Sequence, residues 1–322
     1  MGIQKSIQLL SQKVIDEYNR NGVVRLKGVL TDSEVNALRD DVDNQIARRR
    51  FSETAYDFED LQKQQWSGAD EFDGGNSDRF NLEMYKLVLD TDPEARPILD
   101  KVNDEESGMF FYDAGQWRFY EGIKKCAIDS ALPHISAKLM DSSFVNFWED
   151  TTFVKSPNTS QRTTFHQDWS YFQIKGEKCC IVWIPLDPVT EENGGMEYIR
   201  GSHLWGKTYA PNLLIAQSID PMSPYEKLED IESNIHKHDV IRFDVEPGDV
   251  IIHHVMTVHG SSGNKSKEKM RRAIAFRYCG DDITYFDKPG ALEQPFVTHK
   301  LENGDRLHSD DYPLVYGRMP IQ

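Results

Sequence analysis

Two short runs, Thr164-Phe165-His166-Gln167-Asp168 and His259-Gly260-Ser261-Ser262-Gly263-Asn264, set the terms on which this chain can fold. In an extended strand successive side chains alternate faces, so His166 and Asp168 project to one side and Gln167 to the other. One imidazole and one carboxylate thus converge, and a third donor has to arrive from elsewhere in the fold. His259 follows Asp249-Val250-Ile251-Ile252-His253-His254-Val255, which reads as a buried strand. Two histidines and a carboxylate with open positions form the facial arrangement of non-haem Fe(II) oxygenases. A metal is expected at His166, Asp168 and His259. His253 and His254 fall on opposite faces of their strand and lack the Gly-Ser sequence that follows His259, so both are expected to be structural.

Arg271 and Arg272 open a further strand-like run, Ala273-Ile274-Ala275-Phe276-Arg277-Tyr278. A guanidinium at the mouth of an apolar strand is costly to bury unless an anion meets it, and its fork matches a carboxylate. A dicarboxylate cosubstrate is one such anion. Alternation points Arg271 and Arg272 to opposite faces, and a bulge would exchange them.

With His166-x-Asp168, Asn193-Gly194-Gly195, Arg200-Gly201-Ser202-His203, Pro247-Gly248-Asp249 and His259-Gly260-Ser261-x-x-Asn264 followed by Arg271, the chain resembles the phytanoyl-CoA dioxygenase family from about Asn21 to Gly280. The resemblance implies a double-stranded β-helix and an enzyme using Fe(II), 2-oxoglutarate and O2. Such an enzyme releases succinate and CO2 while hydroxylating or otherwise oxidising a small organic substrate. It implies His166, Asp168 and His259 as iron ligands, and Arg271 with Ser261 as binders of the 2-oxoglutarate C5 carboxylate. Lys155 and Trp183 are implied at the cosubstrate pocket, although Lys155 read alone could equally face solvent. Halogenating relatives leave the carboxylate position to chloride, so Asp168 argues against halogenation.

Composition narrows the alternatives. The 322 residues are 39% hydrophobic, enough for a core, and a net charge of −16 offers no basic footprint for nucleic acid. No basic segment followed by an apolar core suggests export, and no apolar run approaches the roughly 20 residues of a membrane span. Cys126, Cys179, Cys180 and Cys279 show no paired spacing, consistent with a reduced, cytoplasmic chain.

Along the chain, residues 3 to 19 show helical spacing, and Val23 to Leu30 reads as a strand. Thr31-x-x-Glu34 is a capping box opening a helix to about Arg48, with Val35, Leu38, Val42 and Ile46 on its apolar face. Residues 51 to 92 are polar and aperiodic, as are residues 204 to 238, and both inserts suit lids over a substrate site. Candidate substrate contacts there are Trp66, Arg79, Phe80, Asn81 and Trp205. Pro93 to Leu139 returns to helix, with Pro133 starting a new one. Ser143 to Trp148 and Thr151 to Lys155 read as two strands. Trp169, Tyr171 and Phe172 either floor a substrate site or are ordinary sheet aromatics. Lys178 to Leu186 is apolar on both faces, hence a strand covered twice. His203 is expected to be a turn residue.

Short strands of this kind need closure, and a jelly-roll supplies it. The expectation is a single domain over 1–322, mainly β with supporting helices. Two other classes fit part of the pattern. A zinc hydrolase also uses two histidines and a carboxylate, but would not need Arg271 or Ser261. A non-catalytic small-ligand-binding module on the same fold would need neither metal nor clamp complete.

Overall fold

The computed structural model describes residues 8–49, 54–57, 108–212, 223–289, 291, 294 and 296–319. Alternation along three neighbouring strands decides the architecture. In β7 (Cys179–Pro185), Cys179, Ile181 and Trp183 join one buried cluster, while Cys180, Val182 and Ile184 join another. The same division runs through β10 (Val250–His254), where Ile251 opposes Val250 and Ile252, and β12 (Arg271–Cys279), where Ala273, Ala275 and Cys279 oppose Ile274, Phe276 and Tyr278. Strands apolar on both faces need cover on both.

Helices cover one face. They are α1 (Gln12–Asn21), α2 (Asp32–Arg48), α3 (Glu121–Asp129) and α4 (Leu132–Leu139), all contributing to the second cluster. The α2 capping box forms as expected: Thr31 accepts from the Glu34 amide, and Glu34 Oε2 accepts from the Thr31 amide at 2.7 Å. Val35, Leu38 and Val42 are buried, each contributing roughly 1.5–3 kcal/mol.

A second sheet covers the other face. The large sheet runs β1 (Val23–Leu26)-β10-β7-β12-β4 (Phe144–Lys155)-β3 (Phe110–Ala114)-β2 (Tyr56–Asp57), with β14 (Leu314–Gly317) also pairing with β4. The smaller sheet runs β5 (Thr163–His166)-β11 (His259–Ser261)-β8 (Met196–Ile199)-β9 (Val240–Arg242). A ribbon of β6 (Ile174–Lys175) and β13 (Thr284–Tyr285) adds to them, and every named strand pair is antiparallel. This is the expected jelly-roll, a double-stranded β-helix with helical support.

Three expectations need correction. Phe110–Ala114 is a buried strand, not helix, because its aromatic run fits a pleated surface beside β4 better than a helix. The two strands expected on either side of Glu149-Asp150 are one continuous strand, β4, in which Asp150 turns outward and accepts from the Trp117 amide at 2.9 Å. The pairing of β4 with β12 shifts register between Arg277 and Tyr278, so both Trp148 and Glu149 face the interior cavity. The strand expected to reach Leu30 ends at Leu26. No described helix is long and apolar enough to cross a membrane.

Candidate metal and anion site

Register builds the metal site. β11 pairs with β5 so that His259 sits directly opposite His166. Gly260 permits this approach, since a Cβ there would lie 2.8 Å from the Thr163 carbonyl oxygen. β5 ends at His166, and Asp168 opens a short 3-10 turn, yet Gln167 keeps an extended backbone. The alternation read from sequence therefore survives the end of the strand. His166 Nε2 lies 3.5 Å from Asp168 Oδ1, while Gln167 turns away to bind the Lys207 and Met256 carbonyls.

His166, Asp168 and His259 are all buried, and each offers a ligand atom within 4.8 Å of the others. His166 Nδ1 contacts the Thr164 carbonyl at 2.8 Å and His259 Nδ1 contacts the Thr257 carbonyl at 2.9 Å. A carbonyl only accepts, so each Nδ1 carries the proton and each Nε2 lone pair is left for a cation. Burial holds the His259 imidazole well below its ordinary range. Burial alone would raise the Asp168 pKa, but His259, His166 and His253 overcome it and keep the carboxyl ionised. Neutral imidazoles and an ionised carboxylate are the states a divalent metal requires.

His253, expected to be structural, is not among the three donors but touches one of them. Its Nε2 is 3.2 Å from Asp168 Oδ2, and its ring centre is 4.3 Å from that of His259. It lies outside the three-residue donor set, touching the carboxylate from the large sheet. His254, on the other face, contacts the rings of Tyr18 and His203. His203 sits in a 3-10 turn, Ser202–Leu204, with Nε2 3.0 Å from the Asn19 carbonyl.

Arg271 and Arg272 diverge. Arg272 pairs with Asp187 and Asp43, both at 2.7 Å. Arg271 is 1% exposed, lines the same cavity as the three donors, and has a buried Nε without a hydrogen-bond partner. Burial pushes its pKa down to about 10. Its guanidinium carbon is 6.0 Å from the Trp183 ring centre. Lys155 does not face solvent: it is fully buried, and its Nζ donates to Ser261 Oγ and the Ser262 carbonyl, both at 2.9 Å. Burial, with Arg271 adding to it, holds the Lys155 amine well below its usual range. Lys155 thus buttresses Ser261 from behind. Gly194 packs against this cluster, where a Cβ would meet the Ser262 carbonyl at 3.1 Å. Asn264, fully buried, pins the loop by donating to the Lys155 and Lys269 carbonyls.

The remaining cavity wall is aromatic, with Trp148, Phe153, Tyr171, Phe172 and Trp183 among its described residues. Trp169 is not among them; the Lys288 ammonium lies 3.0 Å from its ring centre and the Tyr225 ring at 6.2 Å. Trp205 is 38% exposed and packs on Tyr209, away from the cavity. Its short 3-10 turn holds it on the surface. The second insert still reaches the site, since the Tyr171 hydroxyl donates to Asn212 at 2.9 Å and Leu228 and Ile231 pack on Phe165. Trp66, Arg79, Phe80 and Asn81 lie outside the described residues.

Residues 18–273 match the family model for phytanoyl-CoA dioxygenase. The chain belongs to that family. A probable phytanoyl-CoA dioxygenase of Caenorhabditis elegans is 25% identical over 153 residues, 46% of this chain and 47% of the relative. The chain thus spans about half the length of that relative. The non-haem alpha-ketoglutarate-dependent carbocyclase SnoK from nogalamycin biosynthesis superposes with a TM-score of 0.63 at 20% identity, covering 96% of this chain and 98% of its own. The epimerase SnoN, solved with Fe3+, alpha ketoglutarate and nogalamycin RO, gives 0.65 at 18% identity, covering 95% and 98%. These likenesses confirm the fold.

Proposed function

We propose that this family member is an Fe(II)- and 2-oxoglutarate-dependent oxygenase that hydroxylates or otherwise oxidises a small organic substrate, in the cytoplasm. One observation carries the reading. Three buried donors whose ligand atoms converge share a cavity with a buried arginine that lacks a carboxylate partner among the described residues. The SnoN complex with iron and alpha ketoglutarate supports it from the same fold.

In this reading His166, Asp168 and His259 hold the iron, which when bound couples O2 and 2-oxoglutarate to oxidation of a C–H bond. Thr164 and Thr257 fix the two imidazoles by their carbonyls, and His253 holds the second carboxylate oxygen of Asp168. Arg271 pairs with the distal carboxylate of 2-oxoglutarate, with the Ser261 hydroxyl beside it. Lys155 already donates to Ser261 Oγ, so the Ser261 proton is free to point into the cavity. Trp183 walls the clamp, and the aromatic lining keeps water from the reacting atoms. Four buried free cysteines accord with a reducing compartment.

The test is an anaerobic titration with Fe(II) followed by 2-oxoglutarate. The wild type is expected to bind one metal and to develop a charge-transfer absorption on adding the cosubstrate. Alanine at His166, Asp168 or His259 abolishes that absorption. Full absorption in all three variants would end the proposal.

A further inference from the structure

β12 carries a second buried arginine. Arg277 lies six positions beyond Arg271 on the same face, so their Cα atoms are about 20 Å apart at a strand rise of about 3.3 Å per residue. Between them the inward positions are Ala273 and Ala275, too small to close the wall. Arg277 is 6% exposed, and its Nη1 donates to Thr151 Oγ1 at 2.5 Å. Its guanidinium carbon stands 5.1 Å from the Phe172 ring centre, and its Nε is buried without a hydrogen-bond partner. Among the described residues Arg271 and Arg277 are the two buried arginines. Neither forms an ion pair there, and both line one cavity.

An unpaired guanidinium in a buried wall keeps most of its desolvation cost until an anion meets it. For Arg271 that anion is the distal carboxylate of 2-oxoglutarate. Nothing in that reading uses Arg277, which is too far along the strand for the same carboxylate to reach both. Its surroundings fit an organic anion with an apolar body: Phe172 under the guanidinium, Trp148 brought inward by the bulge and stacked on Tyr312 at 4.8 Å. Glu149, opposite Arg277 across the strands, lines the same cavity, and its like charge disfavours a multiply charged group.

We propose that Arg277 is the anion-recognition residue of the substrate pocket, and that the substrate carries a singly charged oxyanion, whether carboxylate, phosphodiester or sulfonate, on an apolar body. This rests on the oxygenase reading above. The guanidinium pairs with the oxyanion, and the apolar body lies along Phe172 and Trp148. Arg271 at one end and Arg277 at the other thus sort two anions into separate ends of one cavity.

The experiment loads the whole protein with Mn(II) in place of Fe(II), measures 2-oxoglutarate binding by calorimetry, and then screens small carboxylates, phosphodiesters and sulfonates with their neutral amide and alcohol counterparts by thermal upshift. Hits are expected among the anions, each binding about tenfold to a hundredfold more tightly than its neutral counterpart. The ranking of the three anion classes identifies the oxyanion. Arg277→Gln loses the same factor for the anion, keeps the wild-type affinity for 2-oxoglutarate, and melts no lower than the wild type, because it removes a buried charge that forms no ion pair among the described residues while its amide can still donate to Thr151. Hits confined to neutral compounds, an empty screen, or an Arg277→Gln protein that binds the anions unchanged overturns the proposal. So does a variant that melts well below the wild type, since Arg277 would then be structural. The comparison of anion with neutral counterpart is made on the wild type, so the preference for an anion is read independently of the variant. A chain that binds no 2-oxoglutarate overturns the oxygenase reading, whereas 2-oxoglutarate binding with neutral hits overturns only the Arg277 subsite.

Discussion

Adjacent arginines on one strand divide two tasks. Arg272 is held by Asp187 and Asp43, so its charge is spent on structure, while Arg271 keeps its charge for a ligand. Arg271→Ala is expected to raise the 2-oxoglutarate requirement about tenfold to a hundredfold, from a lost charge-assisted contact of roughly 1.5–3 kcal/mol. Arg272→Ala should leave that requirement nearly unchanged and lower the melting temperature instead. Calorimetric titration of both variants decides it, and the reverse ranking reassigns the clamp. Alternation alone makes this pair legible, because parity along a strand needs no knowledge of its partners. The same parity places Arg277 on the face of Arg271, a signal present in the sequence. His253 is harder. Its parity separates it from His254, but which face meets Asp168 depends on how β10 packs over the smaller sheet, and only the tertiary arrangement supplies that.

Elements with their own local signals are the ones sequence reads well. The capping box at Thr31 and Glu34 and the apolar face of Val35, Leu38 and Val42 define α2 within a few covalent neighbours. Thr31→Ala should therefore cost about 1 kcal/mol of stability without touching the site. A lower urea midpoint with unchanged 2-oxoglutarate affinity is expected, and an altered affinity would show that α2 is coupled to the cavity. β4 lacks such a signal. Glu149-Asp150 looks like a turn because two acids interrupt an apolar run, whereas in the fold Asp150 is buried with a backbone amide for partner and Glu149 is drawn inward by a register shift. Both causes lie in other strands. Phe110–Ala114 is similar, since its strand character comes from the vacant edge of β4 as much as from its own aromatics.

At the scale of the whole molecule, acid acts on buried histidines before it acts on the carboxylates behind the net charge of −16. His254 is the clearest case. Burial, with His203 and His253 adding to it, lowers its pKa from 6.5 to about 4, and its Nδ1 accepts from the Met256 amide at 3.1 Å, a bond available only to the unprotonated nitrogen. The unfolded chain takes up a proton near pH 6.5 that the folded chain resists down to about 4. The stabilisation is thus fully present above pH 6.5 and is lost as pH falls from there to about 4, amounting to about 3 kcal/mol for this one group. His259, also held low by burial, acts in the same direction in metal-free protein. Carboxylates held low by their partners, such as Asp281 and Asp311 at about 2, begin to lose their contribution only near the acid end of that window, so the fall above it comes from the histidines. Urea midpoints of the metal-free protein from pH 7 to pH 4 are expected to fall. In His254→Gln, whose amide oxygen still accepts from Met256, the fall should shrink by up to about 3 kcal/mol. Parallel curves for the two proteins would remove His254 as the source and leave the acid sensitivity with the metal-site histidines, where bound metal, by requiring neutral imidazoles, would shift the whole limb.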